Sequence, residues 1–288
     1  MARIFLKSVF VVTIAILAYR YFNANIDRDS IQGKRILVTG ASQNIGEEVA
    51  YQYSELGAKI VVTARRENEL KRVVEKCLSL GAKEASYVVA DMTDTTVYES
   101  VINKAVNKLG GLDILVLNHV ISRHGKWEGS KDDLNFMRRS IPVNYVSYVE
   151  LASAAMPHLR QSQGQLIVVS SQAGRPGIPN IAAYGATKAA VANFFTSLQL
   201  EGMMTGHEYP SITICILGAI DTEGARWVQA KQRMQIQGYP VDKTANVIIE
   251  GGITRSRYAY APPYIGWLAT AREMMPEIFD RILLYFVF

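Results

Sequence analysis

Tyr184 and Lys188, in the segment Tyr184-Gly185-Ala186-Thr187-Lys188, stand four residues apart and share one face of any helix that contains them. A free phenol has a pKa of about 10, so a tyrosine alone exchanges protons poorly near neutrality. An ammonium one turn away favours the phenolate and should lower that value. Such a pair can give a proton to a carbonyl oxygen or take one from an alcohol. The run QLIVVSS, which reads as a buried strand, ends at Ser171, 13 residues before Tyr184. Side chains at that end of an open α/β sheet face the ligand crevice, where the Ser171 hydroxyl can donate to a reacting oxygen. Ser170 should point to the opposite face by strand alternation. Asn144, after Val143, is unusual for a helix interior: it either caps the helix that follows or anchors a water in a proton relay.

A second constellation lies nearer the N-terminus. Arg35–Thr39 reads as a strand and is followed at once by Gly40-Ala41-Ser42-Gln43-Asn44-Ile45-Gly46 and a helix. A pyrophosphate needs small residues in such a turn: one for the bend, one for close backbone approach, one where helix meets strand. The helix N-terminus then offers free N–H groups and a positive dipole end. Glycine patterns are common, and the strand–turn–helix context is what makes this one informative. The next strand, Lys59–Thr63, is followed by Ala64, Arg65 and Arg66, where an NAD-binding turn usually presents an acid; Glu67 comes only afterwards. Guanidinium groups at that place favour an additional phosphate, so NADP(H) is expected over NAD(H). Asp91 either accepts from an adenine amino group or caps a helix, a role for which Asp94 competes.

The elements that must position these residues alternate regularly. Arg35–Thr39, Lys59–Thr63, Ala85–Val89, Asp113–Asn118, Gln165–Ser170 and Ser211–Leu217 read as buried strands, and continuous Val/Ile runs suit a parallel sheet covered on both faces. Helix-length segments separate them: Ile45–Leu56, Asn68–Leu80, Thr95–Leu109, Asn144–Gln161 and Ala182–Met204. The expected fold is an α/β doubly wound parallel sheet, a Rossmann fold, as one domain over residues 31–260 with no internal repeat.

Composition excludes several other classes. Two cysteines, Cys77 and Cys215, cannot build a disulfide scaffold or a cysteine-rich zinc site, and the four histidines never fall at HExxH or Hx3H spacing, which argues against a histidine metal site. The net charge of +5 comes from Lys and Arg scattered along the chain, which argues against a nucleic-acid surface. Residues 1–30 form a separate segment: Ser8–Tyr19 is uncharged and apolar, preceded by Arg3 and Lys7. It reads as an uncleaved anchor or as a cleaved signal peptide, and either directs the chain to the secretory pathway, to the endoplasmic reticulum or for secretion. Residues 261–288 are apolar, aromatic and proline-broken; the helix Pro276–Phe288 either docks on the core, contacts a second copy or dips into a membrane.

Together these residues resemble the short-chain dehydrogenase/reductase family from Gly33 to about Tyr258. The resemblance rests on TGASQNIG at Thr39–Gly46, NHV at Asn118–Val120, Asn144, Ser171, Tyr184-x-x-x-Lys188 and LGAIDT at Leu217–Thr222. Within the family it leans to the 11β-hydroxysteroid dehydrogenase group, on the N-terminal apolar segment and on LGGLDILVLNHV, VNYVSYVELA, SLQLE and CILGAIDTE.

It implies that Asn144, Ser171, Tyr184 and Lys188 form a catalytic tetrad, with Ser171, Tyr184 and Ile178 meeting the substrate. Asn118, His119, Val120, Tyr184, Lys188, Ile220 and Thr222 would hold the nicotinamide end of NADP(H). Gly40, Ser42, Gln43, Asn44, Ile45, Gly46, Arg65, Arg66, Asp91 and Met92 would hold the rest. The implied activity interconverts a secondary alcohol and a ketone on a hydroxysteroid such as cortisol/cortisone. The alternatives are another lipophilic alcohol, such as a retinoid or keto lipid, and a non-catalytic dinucleotide-binding module. A homodimer through the helices at Asn144–Gln161 and Ala182–Met204 is also implied. The chain departs from the family in Asn44 for the middle glycine, Gln43 for a basic residue, Leu217 for a proline and Ile178 for a tyrosine. The loops Arg175–Asn180 and Thr222–Gly238 carry the substrate-side residues Ile178, Trp227 and Met234.

Overall fold

Runs of Val, Ile and Leu form strands here because the central ones are buried on both faces, whereas the edge strand at Glu84–Val89 buries only Val88. In the computed structural model, which describes residues 26–205, 209–226 and 237–286, seven strands result. They are β1 (Arg35–Thr39), β2 (Lys59–Ala64), β3 (Glu84–Val89), β4 (Ile114–Leu117), β5 (Gln165–Ser171), β6 (Ser211–Leu217) and β7 (Tyr258–Ala261). Their order is β3-β2-β1-β4-β5-β6-β7, and every pairing is parallel. This is the single doubly wound sheet that the alternation implies. The order reverses between β1 and β4, so a crevice opens at their carboxyl ends, where such folds place ligands.

Strand alternation divides the core in two. Leu37, Leu115 and Val168 face one layer, built with helices α3 (Tyr98–Leu109), α5 (Ser147–Gln161) and α6 (Ala182–Thr205). Ile36, Val38, Val116 and Ile167 face the other, built with α1 (Asn44–Glu55), α2 (Glu67–Ser79) and α7 (Val241–Ile253). Among the described residues the sheet is also accompanied by α4 (Lys131–Ile141), α8 (Ile265–Met274) and α9 (Pro276–Phe286). Four elements go beyond the sequence reading: β7, α4, α7 and α8. The strand YAYA is only four residues long and half-buried, so it lacks the apolar run that marked the others. The helix KDDLNFMRRSI is mostly polar and buries only Asp133, Phe136 and Ser140. Residue 260, taken as the end of the dehydrogenase segment, lies inside β7, and Ile265 and Ala269 of α8 are buried beyond it.

Asn144 does not open a helix. The helix starts at Lys131 behind a capping box in which Ser130 accepts from the Asp133 N–H and the Asp133 carboxylate accepts from the Ser130 N–H. It runs through a π turn at Pro142–Val146 into α5. Pro142 has no N–H to return to the preceding turn, and the Ser147 N–H bonds to the Pro142 carbonyl across the widened turn. Asn144 sits at the centre of this distortion, fully buried.

The apolar segment Ser8–Tyr19 lies outside the described residues, and no helix among the described residues is long and apolar enough to cross a membrane. Leu283 and Leu284 of the tail helix α9 line a cavity with residues of the 175–189 region, while Ile278, Ile282, Leu284 and Tyr285 are exposed.

Candidate active site

The glycine turn is held where backbones touch. Gly40 adopts φ +65°, and a Cβ there would lie 2.6 Å from the Cα of His119. A Cβ on Gly46 would lie 2.5 Å from both the Gly40 carbonyl oxygen and the Asn118 amide nitrogen. Asn44 takes φ +53°, the left-handed conformation that asparagine tolerates, so the missing middle glycine leaves the turn intact. The Asn118 side chain donates to the Thr39 and Gly40 carbonyls at 3.1 and 3.3 Å. Its N–H donates to Thr39 Oγ1 at 2.9 Å. Asn118, expected to meet the nicotinamide end, thus spends its amide donors on bracing the turn from below.

His119 belongs to the interior. Its Nδ1 lies 2.9 Å from Thr39 Oγ1 and its Nε2 lies 2.7 Å from Ser147 Oγ. Burial, aided by the nearby Lys188 charge, pushes its pKa down to about 3, so the ring is neutral. Its side chain is therefore a buried tie between β1 and the π turn, and only its neighbour Val120 is exposed.

The region beside the turn is basic. Arg66 Nη2 donates to Ser42 Oγ at 3.1 Å, to the Ser42 carbonyl at 3.4 Å and to Gln43 Oε1. The Arg65 guanidinium lies 4.0 Å from the Asp91 carboxylate, and both are largely exposed. Ser42, Gln43, Arg65, Arg66 and Asp91 therefore gather at one corner. Neither acid caps a helix: Asp91 accepts from the Thr93 N–H and Asp94 from the Thr96 N–H, each closing a local turn ahead of α3. Met92 is buried, with its carbonyl accepting from the Tyr98 hydroxyl. Glycines where a Cβ would collide, a helix N-terminus and two adjacent guanidiniums fit a dinucleotide bearing an extra phosphate.

The reacting groups converge one strand further along. Ser171 ends β5, its hydroxyl donating to the Leu217 carbonyl at 3.3 Å and accepting from the Ala173 N–H at 3.1 Å. Burial pushes the Tyr184 hydroxyl above its ordinary pKa, and the neighbouring Ser171 hydroxyl draws it back. Among the groups of the chain itself, burial outweighs the lowering expected from a lysine neighbour. Ser170 points away, donating to the Lys188 carbonyl and so pinning β5 to α6. Lys188 Nζ donates to the Val169 carbonyl at 2.7 Å and to the Tyr148 hydroxyl at 3.3 Å. Burial lowers its pKa to about 7. The Asn144 side chain spends both Nδ2 protons, on Ile121 O and Thr187 Oγ1, and its Oδ1 accepts from the Ile121 N–H. It ties β4's exit loop to α6, and a relay water could only donate to the second lone pair of Oδ1, since both Nδ2 protons are committed.

Three neighbours of the tetrad escaped the sequence reading: Tyr148, Ser147 and Thr187. The spacing of Tyr148, one turn after Asn144, was the available signal.

Ile178, expected beside Ser171 and Tyr184 at the substrate, instead lines a cavity of about 490 Å³ with Pro179, Ile181, Leu283 and Leu284. The cavity backs on Ala182, Gly185, Ala186 and Ala189, the face of α6 turned away from Tyr184 and Lys188. Ile220 is buried and bridges Tyr239, and Thr222 Oγ1 accepts from the Ala225 N–H. Trp227 and Met234 lie outside the described residues.

The family model described as short chain dehydrogenase matches residues 34–233, which include the glycine turn, Asn144, Ser171, Tyr184 and Lys188. The chain belongs to the short-chain dehydrogenase family. Among its relatives, the hydroxysteroid 11-beta-dehydrogenase 1-like protein of Xenopus tropicalis is 42% identical over 269 residues, covering 93% of this chain and 92% of that one. A short chain dehydrogenase from Burkholderia cenocepacia J2315, solved in complex with NADP, is 28% identical with a TM-score of 0.67, covering 80% of this chain and 95% of the other. A short chain dehydrogenase/reductase from Burkholderia phymatum, solved with NAD, shares the fold at TM-score 0.74 and 21% identity, covering 86% of this chain and 95% of the other. As a short-chain dehydrogenase, this chain is an NAD(P)-dependent oxidoreductase.

Proposed function

We propose that this short-chain dehydrogenase interconverts a secondary alcohol and a ketone on a hydroxysteroid, with NADP(H) as the cofactor and an 11β-hydroxy glucocorticoid of the cortisol/cortisone type as substrate. The observation that carries the chemistry is the neighbourhood of the Ser171 and Tyr184 hydroxyls at the carboxyl end of β5, beside the crevice, with Lys188 one helical turn beyond Tyr184. The steroid class is supported by the name of the Xenopus tropicalis relative, which aligns over most of both chains. Arg65 and Arg66 beside Ser42 and Gln43 support the phosphorylated dinucleotide.

When bound, the nicotinamide supplies or accepts the hydride at the substrate carbon. The chain's residues manage the proton. In reduction the Tyr184 hydroxyl releases its proton to the substrate oxygen, while Ser171 donates to that same oxygen and orients it. In oxidation the Tyr184 oxygen takes the alcohol proton, and a Lys188 ammonium one turn away favours the phenolate that this requires. Asn144 and Thr187 keep the start of α6 in register with the loop after β4.

The N-terminal apolar segment supports a place in the secretory pathway, in the endoplasmic reticulum or, if it is cleaved, outside the cell. Together with the exposed apolar residues of α8 and α9 it supports contact with a membrane. A homodimer through α5 and α6 belongs to the same proposal.

A panel of 11-oxo and 11β-hydroxy steroids, retinoids and keto lipids, run with NADP(H) and with NAD(H), tests the reading at the nicotinamide absorbance band. Steroid turnover favouring NADP(H) is expected. Tyr184→Phe should lower it by about 10²–10⁴-fold while NADPH still binds. Turnover of retinoids or keto lipids alone would move the substrate class, and no turnover with any of them would leave a dinucleotide-binding module.

A further inference from the structure

Lys188 is a catalytic lysine whose ammonium is fully enclosed by the protein, so its position depends on what surrounds it. Its acceptors are the Val169 carbonyl on β5 and the Tyr148 hydroxyl on α5, and the Tyr148 ring centroid lies 4.9 Å from Nζ. The phenol has one proton, and it is committed: Tyr148 donates to the His119 carbonyl at 2.8 Å. The oxygen that faces Lys188 is therefore an acceptor of fixed polarity. Burial holds the Tyr148 hydroxyl well above its ordinary pKa, so it stays a neutral phenol. Its ring is held against the His119 ring at 4.7 Å. His119 in turn is tied to Thr39 and Ser147, and its backbone packs so closely on Gly40 that a Cβ there would collide with it. The titratable groups facing Lys188 are thus Tyr148 from α5, His119 after β4 and Tyr184 on α6 itself; no carboxylate among the described residues pairs with it.

We infer that Tyr148 is a positioning residue, holding the Lys188 ammonium at the inner wall of the cleft through its hydroxyl and its ring. Its catalytic consequence rests on the functional reading above, because Lys188 matters to turnover only if Tyr184 is the proton donor. A phenol that accepts from the ammonium and presents a π face to it favours the charged form, against the burial that opposes it. Without the hydroxyl, Val169 alone would remain, and the charged form would be lost at lower pH.

The test is Tyr148→Phe in the full chain, with two readouts. NMR titration of the Lys188 ε-carbon in protein made with 13C-lysine, across pH 5 to 11 (approximately), reports its protonation without any dinucleotide or substrate and without a reagent having to reach the enclosed nitrogen. The midpoint should fall by about one pH unit in the variant. The alkaline limb of turnover should move the same way, while melting temperature controls for a merely structural defect. Replacement of Tyr148 by 3-fluorotyrosine, which keeps the ring and weakens the acceptor, should give a smaller shift in the same direction and serves if the phenylalanine variant does not fold. An unchanged titration midpoint in both variants would overturn the inference. Absence of turnover in the wild-type chain would refute the functional reading instead, and the titration would still decide the tie between Tyr148 and Lys188.

Discussion

The side chain of Asn144 and the backbone of Ile121 pair like two amides, with Oδ1 accepting from the Ile121 N–H and Nδ2 donating to its carbonyl, both at 2.9 Å. The pair fastens the loop after β4 to the π turn, which places Asn144 within reach of Thr187 on the catalytic helix. Asn144→Ala would strand an N–H and a C=O with poor access to water, at a cost of about 2–4 kcal/mol. The expected result is a lower melting temperature and reduced turnover with an unchanged preference between NADPH and NADH, measured by thermal denaturation and steady-state kinetics. Asn144→Asp keeps the acceptor but loses both donors, so it should rescue only part of the stability.

Arg65 and Arg66 divide the corner beside the glycine turn. Arg66 folds back on Ser42 and Gln43, whereas Arg65 faces Asp91 and solvent. If both read a 2′-phosphate, Arg66→Ala should weaken NADPH binding by about 10- to 100-fold and leave NADH within about twofold. Arg65→Asp should reverse the preference. Fluorescence titration with the two dinucleotides checks both, and equal losses for NADPH and NADH would remove the phosphate assignment.

His119 links stability to acid. Its pKa is near 6.5 when the chain is unfolded and about 3 in the fold. Between those values the unfolded chain binds the extra proton, so stability falls as pH drops below about 6.5, by about 1.4 kcal/mol per pH unit, and levels off near the folded value. Chemical denaturation followed across that range should show the slope. His119→Asn, whose amide can still reach one of the two hydroxyls, should be less stable at neutral pH and flatter in acid.

Arg272 of α8 joins the tail to the loop that precedes the catalytic helix. It donates to the carbonyls of Pro176 and Gly177 at 3.0 and 2.6 Å and pairs with Asp280 of α9 at 2.6 Å. Beside it, Arg175 of the loop pairs with Glu273. Arg272→Ala should cost about 1–3 kcal/mol and release loop and tail together. Limited proteolysis should then cut near residues 175–178 sooner, and the KM for a lipophilic substrate should rise more than kcat falls. Faster cleavage with an unaltered KM would separate the tail from substrate binding.

What the linear chain determines by itself is whatever neighbours within a turn or a strand can decide. The Val/Ile runs identify six strands because burial on both faces demands unbroken apolar residues, and the helical segments between them follow from period and length. Gly40 and Gly46 are legible because a strand–turn–helix sequence has few other reasons to hold glycines there. Tyr184 and Lys188 are legible because four residues make one helical turn.

Only the tertiary structure decides which groups those residues meet. Lys188 bonds to Tyr148, 40 positions earlier, and Asn144 to Ile121, 23 positions earlier. No periodicity encodes such pairs, since they arise when separate βα units pack on one sheet. The same holds for Asn118 and His119, whose side chains the fold turns toward Thr39 and Gly40, and for Pro142, whose missing N–H becomes a π turn only once α4 and α5 are continuous. β7 and α4 stayed hidden because short or polar elements gain their stability from the surfaces they cover, and those surfaces exist only after the rest of the chain has folded.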